Sequence, residues 1–201
     1  MTSALAALPI EFIGSFPDPA HTLDPELPEF AFIGRSNVGK SSLLNALVAK
    51  RGLARVSSTP GKTQLLNVFR LPPFYLIDLP GYGFAQSSQA ARREYRILLE
   101  ALLRTRTSLT GIVWLLDVRH KPSIDDLDFQ ALLVESGKPV LAVFTKADKI
   151  TRSKQVATVA ERARDLGLAA SEVQLVSANT GQGISELADA LLVAARSPET
   201  V

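Results

Sequence analysis

Lys40 and Ser41 close the run Gly34-Arg35-Ser36-Asn37-Val38-Gly39-Lys40-Ser41, which fits G-x-x-x-x-G-K-S and is followed by Ser42. These residue types suit phosphate chemistry. Gly34 and Gly39 let backbone N–H groups turn inward around phosphate oxygens, and the next helix would present its positive end. Lys40 can reach β- and γ-phosphates, and the Ser41 hydroxyl can ligate Mg²⁺. Downstream, Asp78-Leu79-Pro80-Gly81 offers a carboxylate able to hold a metal-bound water and a glycine N–H able to meet a γ-phosphate. Between the two lies a polar, basic stretch with two candidate hydroxyls, Thr59 and Thr63. Thr63, nearer the following strand, is the preferred metal ligand in a triphosphate state, with Thr59 its competitor. Thr145-Lys146-Ala147-Asp148 supplies a carboxylate that accepts from both N1–H and the 2-amino group of guanine, neither of which adenine has. The Lys146 stem would lie along the base. Ser177-Ala178-Asn179 can offer a backbone N–H to the guanine O6. Each segment alone also reads as an ordinary surface turn or helix-entry loop; their order and wide spacing argue against coincidence.

Such groups are useful only if strands deliver them to one edge. Phe30, Phe32 and Ile33 read as a short buried strand before the glycine loop, and Leu43, Leu44, Leu47 and Val48 as the apolar stripe of a helix over about 40–50. Residues 65–71 and 74–79 read as strands joined tightly at Pro72-Pro73, and 111–118, 139–145 and 173–177 as three more. Helical spacing predicts helices over 89–105, 124–135, 153–166 and 184–195. Trp114 is expected in the core. The alternation predicts an α/β fold: a doubly wound, mostly parallel six-stranded sheet with helices on both faces and ligands at the carboxyl ends of its strands. Residues 1–28 hold five prolines and read as an extension with one short strand over 10–15, residues 29–197 as the domain, and 198–201 as a tail.

The absence of cysteine excludes disulfides, a thiolate zinc site and a cysteine nucleophile. No apolar run is long enough to span a bilayer, and the N-terminus lacks the basic start of a signal peptide, so a cytoplasmic protein is expected, and a monomer is expected besides. His120 has no second histidine positioned to share a metal, since His21 lies in the extension. The net charge of +2 conceals an asymmetry: −5 over residues 1–34, +9 over 35–106 and −2 over 107–201. A basic half suits a polyanionic partner, although phosphate binding and solvated surface also account for such charge. Arg92, Arg93 and Arg96 share one helical flank and read as a solvated face or an RNA contact.

The five segments resemble the motifs of translation-factor-class GTPases. More narrowly, Gly34–Ser42, Thr59-Pro60-Gly61-Lys62-Thr63-Gln64, Asp78-Leu79-Pro80-Gly81-Tyr82-Gly83 and Thr145–Asp148 resemble the EngB (YihA/YsxC) family of bacterial ribosome-biogenesis GTPases, over about residues 29–195. The resemblance implies a Mg²⁺-dependent GTPase that acts as a switch in large ribosomal subunit assembly and is needed for normal cell division. It implies nucleotide contacts at Gly34, Arg35, Ser36, Asn37, Val38, Gly39, Lys40, Ser41 and Ser42, then at Gly61, Lys62, Thr63, Gln64 and Leu65. Further contacts are implied at Asp78, Leu79, Pro80, Gly81, Thr145, Lys146, Ala147, Asp148, Ser177 and Ala178, with Mg²⁺ on Ser41 and Thr63. Lys40, Thr63 and Asn37 are the candidate catalytic residues. Asparagine at position 37 resembles the ligand of a K⁺ ion bridging the phosphates in related GTPases; the alternative is a residue bonded only within the loop. Two departures from the general GTPase pattern stand out. Tyr82 replaces the glutamine that orients the attacking water, which predicts slow hydrolysis without a partner, and Thr145 replaces asparagine, as in this family. A P-loop kinase or ATPase is disfavoured by the Asp148 motif and the lack of an arginine-rich lid. A GTP-dependent module of the division machinery that makes no ribosome contact is the alternative function.

Overall fold

The computed structural model describes residues 3–50, 52–53, 65–83 and 89–196. Strands β1 (Glu11–Phe16), β2 (Glu29–Gly34), β3 (Leu66–Leu71), β4 (Phe74–Asp78), β5 (Leu109–Asp117), β6 (Val140–Thr145) and β7 (Val173–Leu175) form one sheet, in the order β1-β3-β4-β2-β5-β6-β7. From β4 through β7 neighbouring strands run parallel, whereas β3 is antiparallel to both β4 and β1. The α/β, doubly wound reading therefore holds, with seven strands in place of six.

The additional strand is the short one expected in the proline-rich extension. It joins the sheet edge through cross-strand pairs that carry no local periodicity. Glu11 sits opposite Arg70 and binds it at 2.6 Å, and the Ser15 hydroxyl donates to Asn67 at 2.6 Å. A bulge at Ile13 breaks the alternation that would have marked a longer strand. The extension is held again by Arg106, whose guanidinium pairs with buried Glu29 at 2.6 and 2.7 Å and donates to the carbonyls of Pro19 and His21.

Helices α1 (Lys40–Leu47) and α5 (Ile184–Arg196) cover one face, and α2 (Gln89–Thr105), α3 (Ile124–Glu135) and α4 (Arg152–Asp165) the other. Strand alternation feeds both layers: Phe30 and Phe32 pack under α1 and α5, whereas Ala31 and Ile33 face α2 and α3. Leu5, on a 3₁₀ turn ahead of β1, is fully buried in the α1/α5 layer. Helix α1 stops at Leu47, short of the expected Lys50. The Ala49 N–H bonds the Ala46 carbonyl, the Lys50 N–H bonds the Asn45 carbonyl, and Ala49 takes a left-handed φ of 50°. Those are the bonds of a Schellman cap, here built on alanine where glycine is usual, so composition gave no sign of it. Trp114 lies in the core as expected.

Candidate functional site

The parallel register of β2 and β4 sets Phe32 opposite Asp78, so the chain leaves both strands at the same edge. The two departing segments remain zipped together. Leu79 N–H donates to the Phe32 carbonyl, Tyr82 N–H to that of Gly34, and Ser36 N–H to that of Tyr82 at 2.7 Å. The Ser36 hydroxyl also donates to the Gly81 carbonyl. This close approach accounts for Gly81, and the approach of β5 accounts for Gly34. A Cβ on Gly81 would lie 2.9 Å from Ser36 backbone atoms, and one on Gly34 would lie 2.9 Å from the Leu115 carbonyl oxygen. Asn37 (φ 64°) and Gly39 (φ 108°) bend the loop through the left-handed region, and Gly39 caps α1. Lys40 opens that helix and its ammonium lies on the Asp78 carboxylate, with both side chains nearly buried. Ser41 occupies the same first turn, half-buried, and Ser42 is exposed. Arg35 lies against Gly83, Val38 is buried, and Leu79 and Pro80 bridge Asp78 to Gly81. Thr59, Gly61, Lys62, Thr63 and Gln64 lie outside the described residues; Leu65 immediately precedes β3.

The second group converges from β6 and β7. The buried Thr145 hydroxyl reaches the carbonyls of Val38 at 2.7 Å and Leu116 at 3.2 Å, tying the glycine loop to the sheet. Ala147 N–H donates to the Val176 carbonyl, which fixes the loop carrying Asp148 against the end of β7. Asp148 accepts from the Ser177 hydroxyl at 2.7 Å and has Lys149 at 3.3 Å. The Ser177 bond is the main cause of an Asp148 pKa below its ordinary value, so the carboxylate stays an acceptor. Gly39, Ser42, Lys146, Asp148 and Ala178 share the lining of a cavity of about 300 Å³. Every nominated residue within the described segments thus reaches one rim of the sheet.

Two residues gain a definite place only in three dimensions. Tyr82 is 4% exposed and points into the core, where its hydroxyl accepts from Trp114 Nε1 at 3.0 Å and donates to Asp126 at 2.8 Å. Burial, then the Asp126 charge, push its pKa well above the usual phenol value. Asp126 meanwhile caps α3 through the Ser123 N–H and hydroxyl, both at 2.7 Å. The other residue is Asp117, at the end of β5, whose carboxylate holds Lys146 at 2.9 Å and Arg119 at 2.7 Å. Its signal in the chain, an aspartate ending an apolar strand, is the same one that singles out Asp78.

The fold and this rim are those of a P-loop GTPase G domain. A family model described as a 50S ribosome-binding GTPase matches residues 29–146. A probable GTP-binding protein EngB from Gemmatimonas aurantiaca is 46% identical over 189 residues (91% of each chain), and one from Geobacter metallireducens is 45% identical over 178 residues (88% of this chain, 87% of the relative). The chain belongs to the EngB family of GTP-binding proteins and is a GTPase. The crystal structure of a probable GTP-binding protein engB superposes with a TM-score of 0.69 at 24% identity, covering 84% of this chain and 99% of the other. A single-residue variant of Aquifex aeolicus Era bound to GDP and AlF4⁻ gives 0.61 at 23% identity, covering 84% and 57%, a likeness of fold alone. No helix among the described residues is long and apolar enough to cross a membrane.

Proposed function

We propose that the chain is a Mg²⁺-dependent GTP/GDP switch that acts in the cytoplasm, as a monomer, in assembly of the large ribosomal subunit, and that normal cell division depends on it. The observation that carries this reading is the convergence of Lys40, Asp78, Gly81 and Asp148 on one rim, within a chain whose family model describes ribosome-binding GTPases.

In this state Lys40 spends its charge on Asp78. When GTP enters, Lys40 turns to the β- and γ-phosphates, the loop N–H groups around Gly39 cradle them, and Asp78 is released. Among the described residues no three His, Cys, Asp or Glu side chains cluster as a metal site. The donors available are hard oxygens, the Ser41 hydroxyl and the nearly buried Asp78 carboxylate, which suits Mg²⁺ completed by phosphate oxygens. Ser41 and Thr63 would hold it, with Asp78 acting through water, and it would supply positive charge at the β–γ oxygens. Asp148 selects guanine and the Lys146 stem supports the base. Tyr82 is committed to Asp126 and Trp114, so no side chain at that position orients the attacking water. Hydrolysis is therefore slow until a partner, or a K⁺ ion held at Asn37, adds charge stabilisation.

Co-sedimentation with 50S particles tests the reading. The GTP form is expected to pellet more than the GDP form, with affinity falling as salt rises in proportion to the phosphates contacted. Part of the basic half is paired with acids from outside it: Arg70 with Glu11, Arg106 with Glu29 and Arg92 with Asp125. The salt slope should therefore be shallower than +9 suggests. Equal pelleting of both forms at every salt concentration contradicts a switch.

A further inference from the structure

We propose that Asp117 is a positioning residue for nucleotide binding, acting on the base and the phosphate loop through the ammonium of Lys146. The proposal rests on the nucleotide occupying the rim described above.

Lys146 adopts a left-handed backbone (φ 62°), an unfavourable conformation for a residue with a Cβ, so its surroundings must hold it there. Its Nζ donates to the Asn37 carbonyl at 2.6 Å and lies 2.9 Å from Asp117 Oδ2. The first bond ends on the phosphate loop and the second on β5. The long stem between Cα and Nζ is thereby stretched between two fixed points, along the wall of the cavity that Asp148 lines. A free lysine stem would sample many rotamers, and ordering it on binding costs affinity. Asp117 does that ordering before the nucleotide arrives.

Asp117 is itself immobilised. It stands opposite Thr145 in the β5–β6 register, one residue before Lys146. Arg119 grips it with Nε at 2.9 Å and its second guanidinium nitrogen at 2.7 Å, and the Arg119 backbone N–H adds a third bond at 3.1 Å. Burial alone would raise the Asp117 pKa, but hydrogen bonds from Arg119 and Lys146 outweigh it and hold it at about 2. The carboxylate is thus charged throughout the physiological range. Arg119 is the anchor, Asp117 the link, and Lys146 the surface presented to the base.

This role differs from mere support of the loop after β5, and a double-mutant cycle separates the two. Lys146→Met keeps an unbranched stem without the ammonium. GDP affinity and dissociation rate are measured by calorimetry and stopped flow for the wild type, Asp117→Ala, Lys146→Met and the double variant, with Asp117→Asn as a variant that keeps the acceptor oxygen. Asp117→Ala is expected to weaken GDP about tenfold, the size of one partly exposed charged hydrogen bond. Asp117→Asn should lose less, and Asp117→Ala should change affinity less than about twofold in the Lys146→Met background. An equal loss in both backgrounds makes Asp117 a loop support and overturns the proposal, as does unchanged affinity in Asp117→Ala. Unchanged affinity in Lys146→Met, which keeps the stem and lacks only the ammonium, overturns it too, whereas a wild type that binds no GDP removes the nucleotide site itself, a separate failure. Should Asp117→Ala not fold, the cycle is run with Asp117→Asn under the same criterion.

Discussion

Removing the Tyr82 hydroxyl separates two roles that a residue directly after Gly81 could play. In Tyr82→Phe the ring still fills its place against Phe129 and Tyr95, whose centroids lie 4.4 and 5.4 Å away. What is lost is the donor to Asp126 and the acceptor for the Trp114 indole. A hydrogen bond to a buried carboxylate contributes about 1.5–3 kcal/mol and the indole bond about 1 kcal/mol, so the loss should be about 3 kcal/mol. Asp126 keeps Ser123 on its other oxygen, which limits the damage to α3. For a domain of this size the melting temperature should fall by roughly 6–12 °C. Calorimetric scans without nucleotide and at one fixed GDP concentration keep stability apart from binding. Single-turnover GTP hydrolysis, measured well below the new melting point, should stay within about twofold, because the hydroxyl faces the core and not the phosphates. A variant as stable as the parent, or a tenfold or greater drop in hydrolysis in a protein that is still fully folded, would refute the inward placement of the hydroxyl.

The other predictions address the base, the ion and pH. Asp148→Asn should weaken GTP more than about tenfold in calorimetry and favour xanthosine nucleotides, whose C2 carbonyl accepts from the new amide; an unchanged GTP affinity removes Asp148 from the base site. Single-turnover hydrolysis should be faster in K⁺ than in equimolar Na⁺, and Asn37→Ala should abolish the difference, whereas identical parental rates leave Asn37 a loop residue. Because the folded pKa of Asp117 is depressed, its stabilising contribution is complete above the ordinary carboxylate value of 3.8 and is lost as pH falls towards about 2. Urea unfolding of the parent should therefore lose stability more steeply over that interval than Asp117→Asn does; parallel curves would contradict the Arg119–Asp117–Lys146 assignment.

Features carried by a few consecutive residues are legible in the chain alone. The glycine loop, Asp78 to Gly81, Thr145 to Asp148 and Ser177-Ala178 are contiguous, and each stands beside a strand whose apolar run is visible. Their convergence follows from the parallel sheet, which brings strand ends to one rim whatever the side chains elsewhere do. The tertiary structure decided the matters that depend on partners distant in the chain. The seventh strand exists because Glu11 and Ser15 meet Arg70 and Asn67, more than fifty residues away. Tyr82 turns inward because Trp114 and Asp126 wait for its hydroxyl, so a position that composition marks only as "not glutamine" becomes a core bond. The basic half of the chain is partly neutralised by acids from outside it, Glu11, Glu29 and Asp125. Asp117 and Lys146, twenty-nine residues apart in number, pair because adjacent parallel strands end together. Ion pairs and buried hydrogen bonds form between groups that folding brings within about 3 Å, a distance that spacing along the chain does not encode.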